Sequence, residues 1–283
     1  MKRHWRLRLA AVLSALMLLS GCSETEAPAQ TEAAEGADLT VYCFSAGKAD
    51  AFLLYTEDSA VLIDTGESGF GKTILAYMEA HGIEKLDCLI ITHFDKDHVG
   101  GAKKILESVQ VDRVLQSNCP KDASAYNKYV AALEALGMEA ETVRQTLTFE
   151  LGGVSYTVDP PAQETYAEDE SNNSSLIVSV ENGQNRLLFA ADAQDLRLTE
   201  FLAGDPGHYD FLKVPYHGHW QSTLGALIKA VSPAAAVITS SDEEPEDEQT
   251  LDLLAQYGVE TWLTRQAPVV LHADGSTIEL AYE

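Results

Sequence analysis

Basic residues are scarce in this 283-residue chain: 19 Lys and Arg stand against 44 Asp and Glu, for a formal net charge of −25. A field of that sign repels polyanions and anionic lipid headgroups at long range, which argues against non-specific nucleic-acid affinity. Cysteine is equally sparse. The four present include no Cys-x-x-Cys spacing, so the chain carries no zinc-finger signature and no disulfide framework. Apart from Cys22, they leave an odd set of Cys43, Cys88 and Cys119, and the first two lie in apolar strand-like runs as small buried hydrophobes. The pronounced apolar stretch Leu9 to Leu19 is too short to span a bilayer as a helix.

That stretch has another use. Lys2, Arg3, Arg6 and Arg8 form a basic region ahead of it, and Leu19-Ser20-Gly21-Cys22 follows it. The order is that of a secretory signal, and the last four residues resemble the lipobox of bacterial lipoproteins, in which the Cys is lipidated and becomes the mature N-terminus. Residues 23–38 are acidic, Ala-rich and nearly free of large apolar side chains, too poor in burial to offset ordering entropy. The expected organisation is a signal peptide over 1–21, a flexible acidic tether over 22–38 and one domain over 39–283. The expected location is outside the cytoplasmic membrane, with a lipid on Cys22 as the only membrane contact.

Within the domain, short β-rich runs alternate with helical stretches, which predicts a layered α/β fold. Strands are expected at Leu39–Phe44, Ala51–Tyr55, Ala60–Ile63, Leu86–Ile91 and Val111–Leu115. A second β group covers Leu147–Leu151, Val154–Val158, Ser175–Val180 and Arg186–Phe189, followed by Phe211–Val214, Ala234–Thr239 and terminal strands near Thr261, Val269 and Ile278. Helices are expected at Gly71–His81, Ala102–Ser108, Ala123–Leu136, Leu224–Val231 and Glu248–Tyr257, and Pro160–Asn173 reads as an exposed loop. The order of elements suggests two similar halves.

The chemistry gathers at strand ends. Leu89-Ile-Ile91 runs into Thr92-His93-Phe94-Asp95-Lys96-Asp97-His98-Val99-Gly100-Gly101, which packs two imidazoles and two carboxylates into six residues. A solvated turn has no need of paired His flanking acids; a mixed nitrogen and oxygen set suits Zn, Mn or Fe better than Ca or Mg. Ala60–Ile63 ends in Asp64, Leu187–Ala191 ends in Asp192, and Phe211–Val214 ends in Pro215-Tyr216-His217-Gly218-His219. Four apolar strands ending in Asp or His match the way α/β folds assemble sites along one sheet edge.

With these motifs the chain resembles the metallo-β-lactamase-fold hydrolases, and among them the hydrolase domain of the ComEC family of DNA-uptake proteins. The likeness runs from about Val41 to the C-terminus. It rests on Gly47-Lys-Ala-Asp-Ala51, where that family has a Gly-Gln-Gly-Asp-Ala-like turn, on Asp64-Thr-Gly66 and on His93 to Gly101. It rests further on Asn172-Asn-x-Ser-Leu176, on the strand end at Asp192, and on Tyr216-His-Gly-His219, where His-His-Gly-Ser is usual. The resemblance implies an αββα sandwich of two mixed β-sheets with outer helices, and a hydrolytic site holding one or two divalent ions, Zn or Mn. It implies that His93 and Asp95 serve one ion, that Asp97, His98 and His217 serve the other, and that Asp192 bridges. Asp97 is the expected catalytic group, orienting or deprotonating the attacking water. Asp64, Asn173, His219 and Ser222 are expected around the ligands or against substrate. Asp95 replaces a common His, and no His stands near Asn173, so the first subsite is oxygen-rich and friendlier to Mn. The implied function is an exported metal-dependent hydrolase acting on a small-molecule or phosphodiester substrate.

Two other readings compete. The missing imidazole and Tyr216 fit an extracytoplasmic ligand-binding module with little turnover. Gly66-Glu-Ser-Gly-Phe-Gly71-Lys72-Thr73 fits a P-loop pattern between a strand and a helix, with Leu187–Asp192 resembling a Walker B strand. That nucleotide-binding reading leaves the His93–His98 cluster and His217 without a purpose.

Overall fold

The computed structural model describes residues 36–283. The signal-peptide and Cys22 assignments, and most of the tether, lie outside the described residues. Ala37 donates its N–H to Asn182 Oδ1 at 2.7 Å and accepts from Asn182 Nδ2 at 2.8 Å.

Two large mixed sheets form the centre. In the first, the order from one edge is Ile278–Tyr282, Val269–Ala273, Leu39–Cys43, Phe52–Tyr55, Ala60–Ile63, Cys88–Ile91, Val114–Gln116 and Glu141–Thr142. The second runs Glu260–Leu263, Ala235–Ile238, Phe211–Lys213, Asn185–Phe189, Ile177–Asn182, Val154–Asp159 and Leu147–Leu151. Each sheet joins an antiparallel meander to a parallel stretch, the change falling at Ala60–Ile63 against Cys88–Ile91 in one and at Asn185–Phe189 against Phe211–Lys213 in the other. The two expected halves are visible in that symmetry, although the last two strands return to the first sheet.

Near-continuous apolar strands form here because both faces of each sheet are covered. Val41, Phe52, Ile63, Cys88 and Ile90 meet Tyr156, Val178, Phe189 and Phe211 in the layer between the sheets. The alternate residues Tyr42, Leu53, Leu62, Leu89 and Ile91 face helices Gly71–Ala80, Ala102–Leu106 and Ser124–Leu136. On the far side, Leu188, Leu212, Ala236 and Ile238 meet helices Asp195–Ala203, Leu224–Val231 and Glu248–Gln256. The result is the expected αββα sandwich. Full burial of Leu53, Leu62 and Leu89 contributes roughly 1.5–3 kcal/mol each. Cys43 and Cys88 are free thiols within the inter-sheet layer, and burial pushes the Cys88 thiol up to about 12.

One expectation needs correction, one helix is added, and the P-loop pattern finds a packing explanation. The stretch Pro160–Asn173 is not simply an exposed loop, since Tyr166 and Asn173 are buried and Glu170–Asn173 is a helical turn. Helix Asp195–Ala203 was not foreseen. The P-loop pattern is built as a packing turn: the amides of Gly66, Lys72 and Thr73 bond the carbonyls of Asp50, Gly69 and Phe70. A side chain at Gly71 would come within 2.9 Å of the Gly101 carbonyl, so that glycine serves close approach of two loops.

Candidate metal centre

The centre forms where strands of both sheets end. After Cys88–Ile91 the chain makes the short helical turn Lys96–Val99, with the amides of His98 and Val99 bonded to the Asp95 carbonyl at 3.0 Å. This turn sends Asp97 and His98 inward, both buried. Gly100 and Gly101 have ordinary helical φ values of −61° and −84°, so they are not glycines for backbone freedom. A Cβ at Gly100 would lie 2.5 Å from the Ser68 amide nitrogen, and one at Gly101 would strike the Thr65 carbonyl oxygen. The contact they permit lets Thr65 bond the His98 carbonyl through both its amide, at 2.7 Å, and its hydroxyl, at 2.8 Å.

Asp64 sits just beyond its strand at φ 57°, a left-handed conformation uncommon for a non-glycine residue. Its carboxylate is fully used. Oδ1 accepts from the Thr92 amide at 2.9 Å, while Oδ2 accepts from the Thr92 hydroxyl at 2.6 Å and lies 2.8 Å from His98 Nδ1. This fixes the His98 ring and turns Nε2 toward Asp192, whose Oδ2 is 3.3 Å away. Burial alone would lower the His98 pKa; Asp192 and Asp64 outweigh it and hold it well above the usual imidazole range. For Asp192, burial pulls upward, but the imidazoles of His217 and His98 keep its carboxyl well below the ordinary value.

His217 arrives from the second sheet, in the turn Pro215–Gly218, where Tyr216 and His217 both take left-handed φ values of 50° and 54°. Its Nε2 is 3.0 Å from Asp192 Oδ2 and 3.7 Å from Asp97 Oδ2. His93 is fully buried, with Nε2 4.0 Å from Asp192 Oδ2. Desolvation, then the neighbouring His98, depresses its pKa to about 4, so it stays neutral and able to donate its lone pair.

Among the described residues, one ligand atom each from His93, His98 and Asp192, and one each from Asp97, His98 and His217, come within 4.8 Å of one another. The Nε2 atoms of His93, His98 and His217 and Oδ1 of Asp192 are buried with no hydrogen-bond partner. Buried polar atoms left unpaired cost free energy, and three imidazole nitrogens converging with carboxylates have the composition of a divalent-ion site. The donor set fits such an ion.

The remaining expected residues sit differently. Asp95 lies at the edge, 27% exposed, with Oδ2 4.0 Å from His93 Nε2; its Oδ1 is held by Lys121 and Ser171. Asn173 faces away from the ligands, its amide spent on the Glu168 carbonyl and the Arg197 N–H. Ser175 instead approaches His93 Nδ1, at 3.4 Å. Ser222 bonds Asp195 at 3.0 Å, and His219 pairs loosely with Asp247 at 3.8 Å, so neither joins the cluster. Two residues given no role from sequence do stand beside it. Asp50 and Lys213, almost wholly buried, are paired at 2.5 Å next to Asp192. A lysine in the apolar run Phe211–Val214 was the available signal for the second. A cleft of about 510 Å³ opens on the cluster, lined in part by Lys48, Asp97, Lys121, Asn172, Asp192 and Tyr216.

The chain is similar to known proteins in sequence and in fold. The chain is 28% identical over 203 residues to ComE operon protein 3 of Bacillus subtilis, covering 69% of this chain and 25% of that protein. It is 28% identical over 204 residues to recombination protein 2 of Haemophilus influenzae, covering 70% and 24%, and 27% identical over 232 residues to competence protein ComA of Neisseria gonorrhoeae, covering 80% and 30%. The chain thus spans a quarter to under a third of the length of these relatives. Among solved structures, the metallo-β-lactamase fold protein YhfI from Bacillus subtilis superimposes with a TM-score of 0.57 at 12% identity, over 86% of this chain and 100% of that one. CmlA, a diiron β-hydroxylase from Streptomyces venezuelae, gives 0.53 at 17% identity, over 88% and 54%. The metallo-β-lactamase superfamily model matches residues 45–240, from the loop before Asp50 to just past Thr239, and the chain belongs to that superfamily.

Proposed function

We propose that the chain is a metal-dependent hydrolase acting on phosphodiester-type substrates outside the cytoplasmic membrane. One observation carries the metal-dependent part: three buried imidazole nitrogens without hydrogen-bond partners converge on the buried carboxylate of Asp192 at the ends of strands from two sheets. His93, His98, His217, Asp97 and Asp192 would hold one or two ions, Zn or Mn, with Asp95 within reach of the His93 side. A divalent cation bound there supplies Lewis acidity and a water acidified toward neutral pH. Asp97 lines the cleft and lies between His217 and Lys48, at 3.7 and 3.9 Å, so it is the group set to orient an incoming water and take its proton. Asp64 keeps the His98 proton on Nδ1, leaving Nε2 free to ligate.

The substrate class is supported by Lys48 and Lys121 at the cleft, two cations in a chain of net charge −25, and by relatives named for competence and recombination. The decisive experiment measures metal content and turnover of a bis-aryl phosphodiester, single-stranded DNA and a lactone, with added Zn or Mn. Diester hydrolysis that chelation abolishes supports the reading; metal-replete protein that turns over none of them defeats it. The latter result would favour a ligand-binding module instead, a reading in keeping with the capture of Asp95 by Lys121 and Ser171. Export and anchoring are tested separately, since Cys22→Ser should release the protein from the membrane fraction.

A further inference from the structure

Lys213 is an unusual occupant of its position. It ends the strand Phe211–Lys213 and is wholly shielded from solvent. Its ammonium donates to the Ala191 carbonyl at 2.8 Å, pairs with Asp50 Oδ2 at 2.5 Å and stands 3.6 Å from Asp192 Oδ1. Ala191 is itself held at a left-handed φ of 48°, and its carbonyl also accepts from the Tyr216 amide at 3.1 Å. The lysine therefore ties down the residue that aims Asp192. It also occupies one side of that carboxylate, leaving Oδ2 to face His217 and His98 at 3.0 and 3.3 Å.

The other arm leads to His217. Asp50 Oδ1 accepts the Thr239 hydroxyl at 2.6 Å. Having donated that proton, the Thr239 oxygen accepts from His217 Nδ1, 3.0 Å away. The ring proton is thereby assigned to Nδ1, and Nε2, which faces Asp192 and Asp97, keeps its lone pair. Thr239 is wholly buried and Asp50 is 1% exposed, so bulk solvent does not compete for either link. Asp50 Oδ2 thus faces the Lys213 ammonium and Oδ1 the Thr239 hydroxyl, with His217 Nδ1 itself 3.5 Å from Oδ1.

We propose that Lys213, Asp50 and Thr239 are positioning residues: a buried relay that sets the ring proton of His217 and the orientation of Asp192, and so determines how tightly the centre holds its ion. An isolated buried pair would serve the fold equally well anywhere in the sandwich. This one sits between two ligand-bearing strand ends and touches the residues that carry them. The relay presupposes the metal centre proposed above and nothing about the reaction run there.

Thr239→Val removes the hydroxyl with little change of shape, while Thr239→Ser keeps it. Zn and Mn affinities are measured by chelator competition on folded protein, alongside imidazole nitrogen NMR of metal-free samples at alkaline pH. Wild type and Thr239→Ser should show the neutral His217 proton on Nδ1 and bind alike. Thr239→Val should lose that preference and bind roughly tenfold more weakly or worse, the usual range for an outer partner of a ligand. Because a single change at Lys213 or Asp50 strands a buried charge and can unfold the chain, the pair is tested as Lys213→Met with Asp50→Asn. That double variant should regain cooperative unfolding and still bind the ion at least tenfold more weakly than wild type. Wild-type affinity in the folded double variant, or in Thr239→Val with the His217 tautomer unchanged, overturns the relay. If wild type binds neither ion, the metal centre fails, and the His217 tautomer alone decides whether the relay exists.

Discussion

Asp64→Asn isolates the link between a strand end and an ion. The substitution suits the backbone, since Asn tolerates the left-handed φ of 57° that Asp64 adopts. It preserves the Oδ1 acceptor for the Thr92 amide but replaces Oδ2, which now serves the Thr92 hydroxyl and His98 Nδ1 at 2.6 and 2.8 Å, with an NH2 donor. Both partners can adjust: the hydroxyl can turn to accept, and His98 can accept at Nδ1 by moving its proton to Nε2. Without metal, His98 must give up its Nδ1 proton to accept there, so the cost is the lost charge assistance to an imidazole of raised pKa, about 1–2 kcal/mol. With metal the cost would be larger in kind, because Nε2 is the nitrogen proposed to coordinate. We expect ion affinity to fall roughly 10- to 100-fold, equivalent to about 1.4–2.7 kcal/mol. Chelator competition with Zn and with Mn measures it, and thermal unfolding of the metal-free protein bounds the structural component. Affinity within threefold of wild type, in protein that unfolds normally, would refute the assignment of Asp64 as the group orienting His98.

Other outcomes are equally specific. Gly101→Ala should destabilise the protein by about 1–3 kcal/mol in denaturant unfolding, because the new methyl meets the Thr65 carbonyl, whereas Gly137→Ala should act only through its positive φ, having open space around it. Lys48→Gln should raise KM for an anionic diester about two- to fivefold, consistent with a partly exposed charge, while leaving a neutral ester unaffected; equal effects on both substrates would remove Lys48 from anion recognition. The Asp274 carboxyl accepts from the backbone of Thr277 and then of Ser276, which lowers its pKa to about 2. A depressed carboxyl stabilises the fold above its unfolded value, about 3.9, and that contribution disappears as the pH falls through about 2. NMR titration should find it there, and Asp274→Asn should flatten the acid limb of the stability profile.

The strands were legible because both faces of each sheet are buried, so Ala60–Ile63 and Cys88–Ile91 are wholly apolar and end abruptly at Asp64 and Thr92-His93. Helix Asp195–Ala203 was not, for a physical reason. Arg197 points inward, 1% exposed, bonding Asp159 and the Ser175 carbonyl, while Leu196 points out at 41%. That inversion erases the apolar stripe on which sequence periodicity depends. At the centre, His93, His98, Asp192 and His217 stood out because each terminates an apolar run. Asp50 stood in a motif, but its pairing with Lys213 was not legible, because residues 163 positions apart neutralise one another only after both sheets are in place. Asn173 looked functional beside Ser175, yet its amide bridges backbone groups, and only Ser175 approaches His93.

Both sheets contribute residues to the centre, and this would give a bound ion a mechanical role. His93 and His98 follow a strand of the first sheet, whereas Asp192 and His217 follow strands of the second. Between those strands lies a largely apolar layer in which Phe52 meets Phe189 edge-on, 5.3 Å between ring centres. Such a layer resists separation but offers little directional resistance to sliding, since hydrophobic attraction has no preferred angle. A cation gripping ligands from both sides would act as a rivet through two plates, fixing their register at one end. Ion binding at 100 times its Kd adds about 2.7 kcal/mol to folding stability, and here that increment would be felt as resistance to shear. A volume change at Phe52 or Phe189 would then be registered by the grip on the ion, making metal affinity a gauge of how the two sheets are seated.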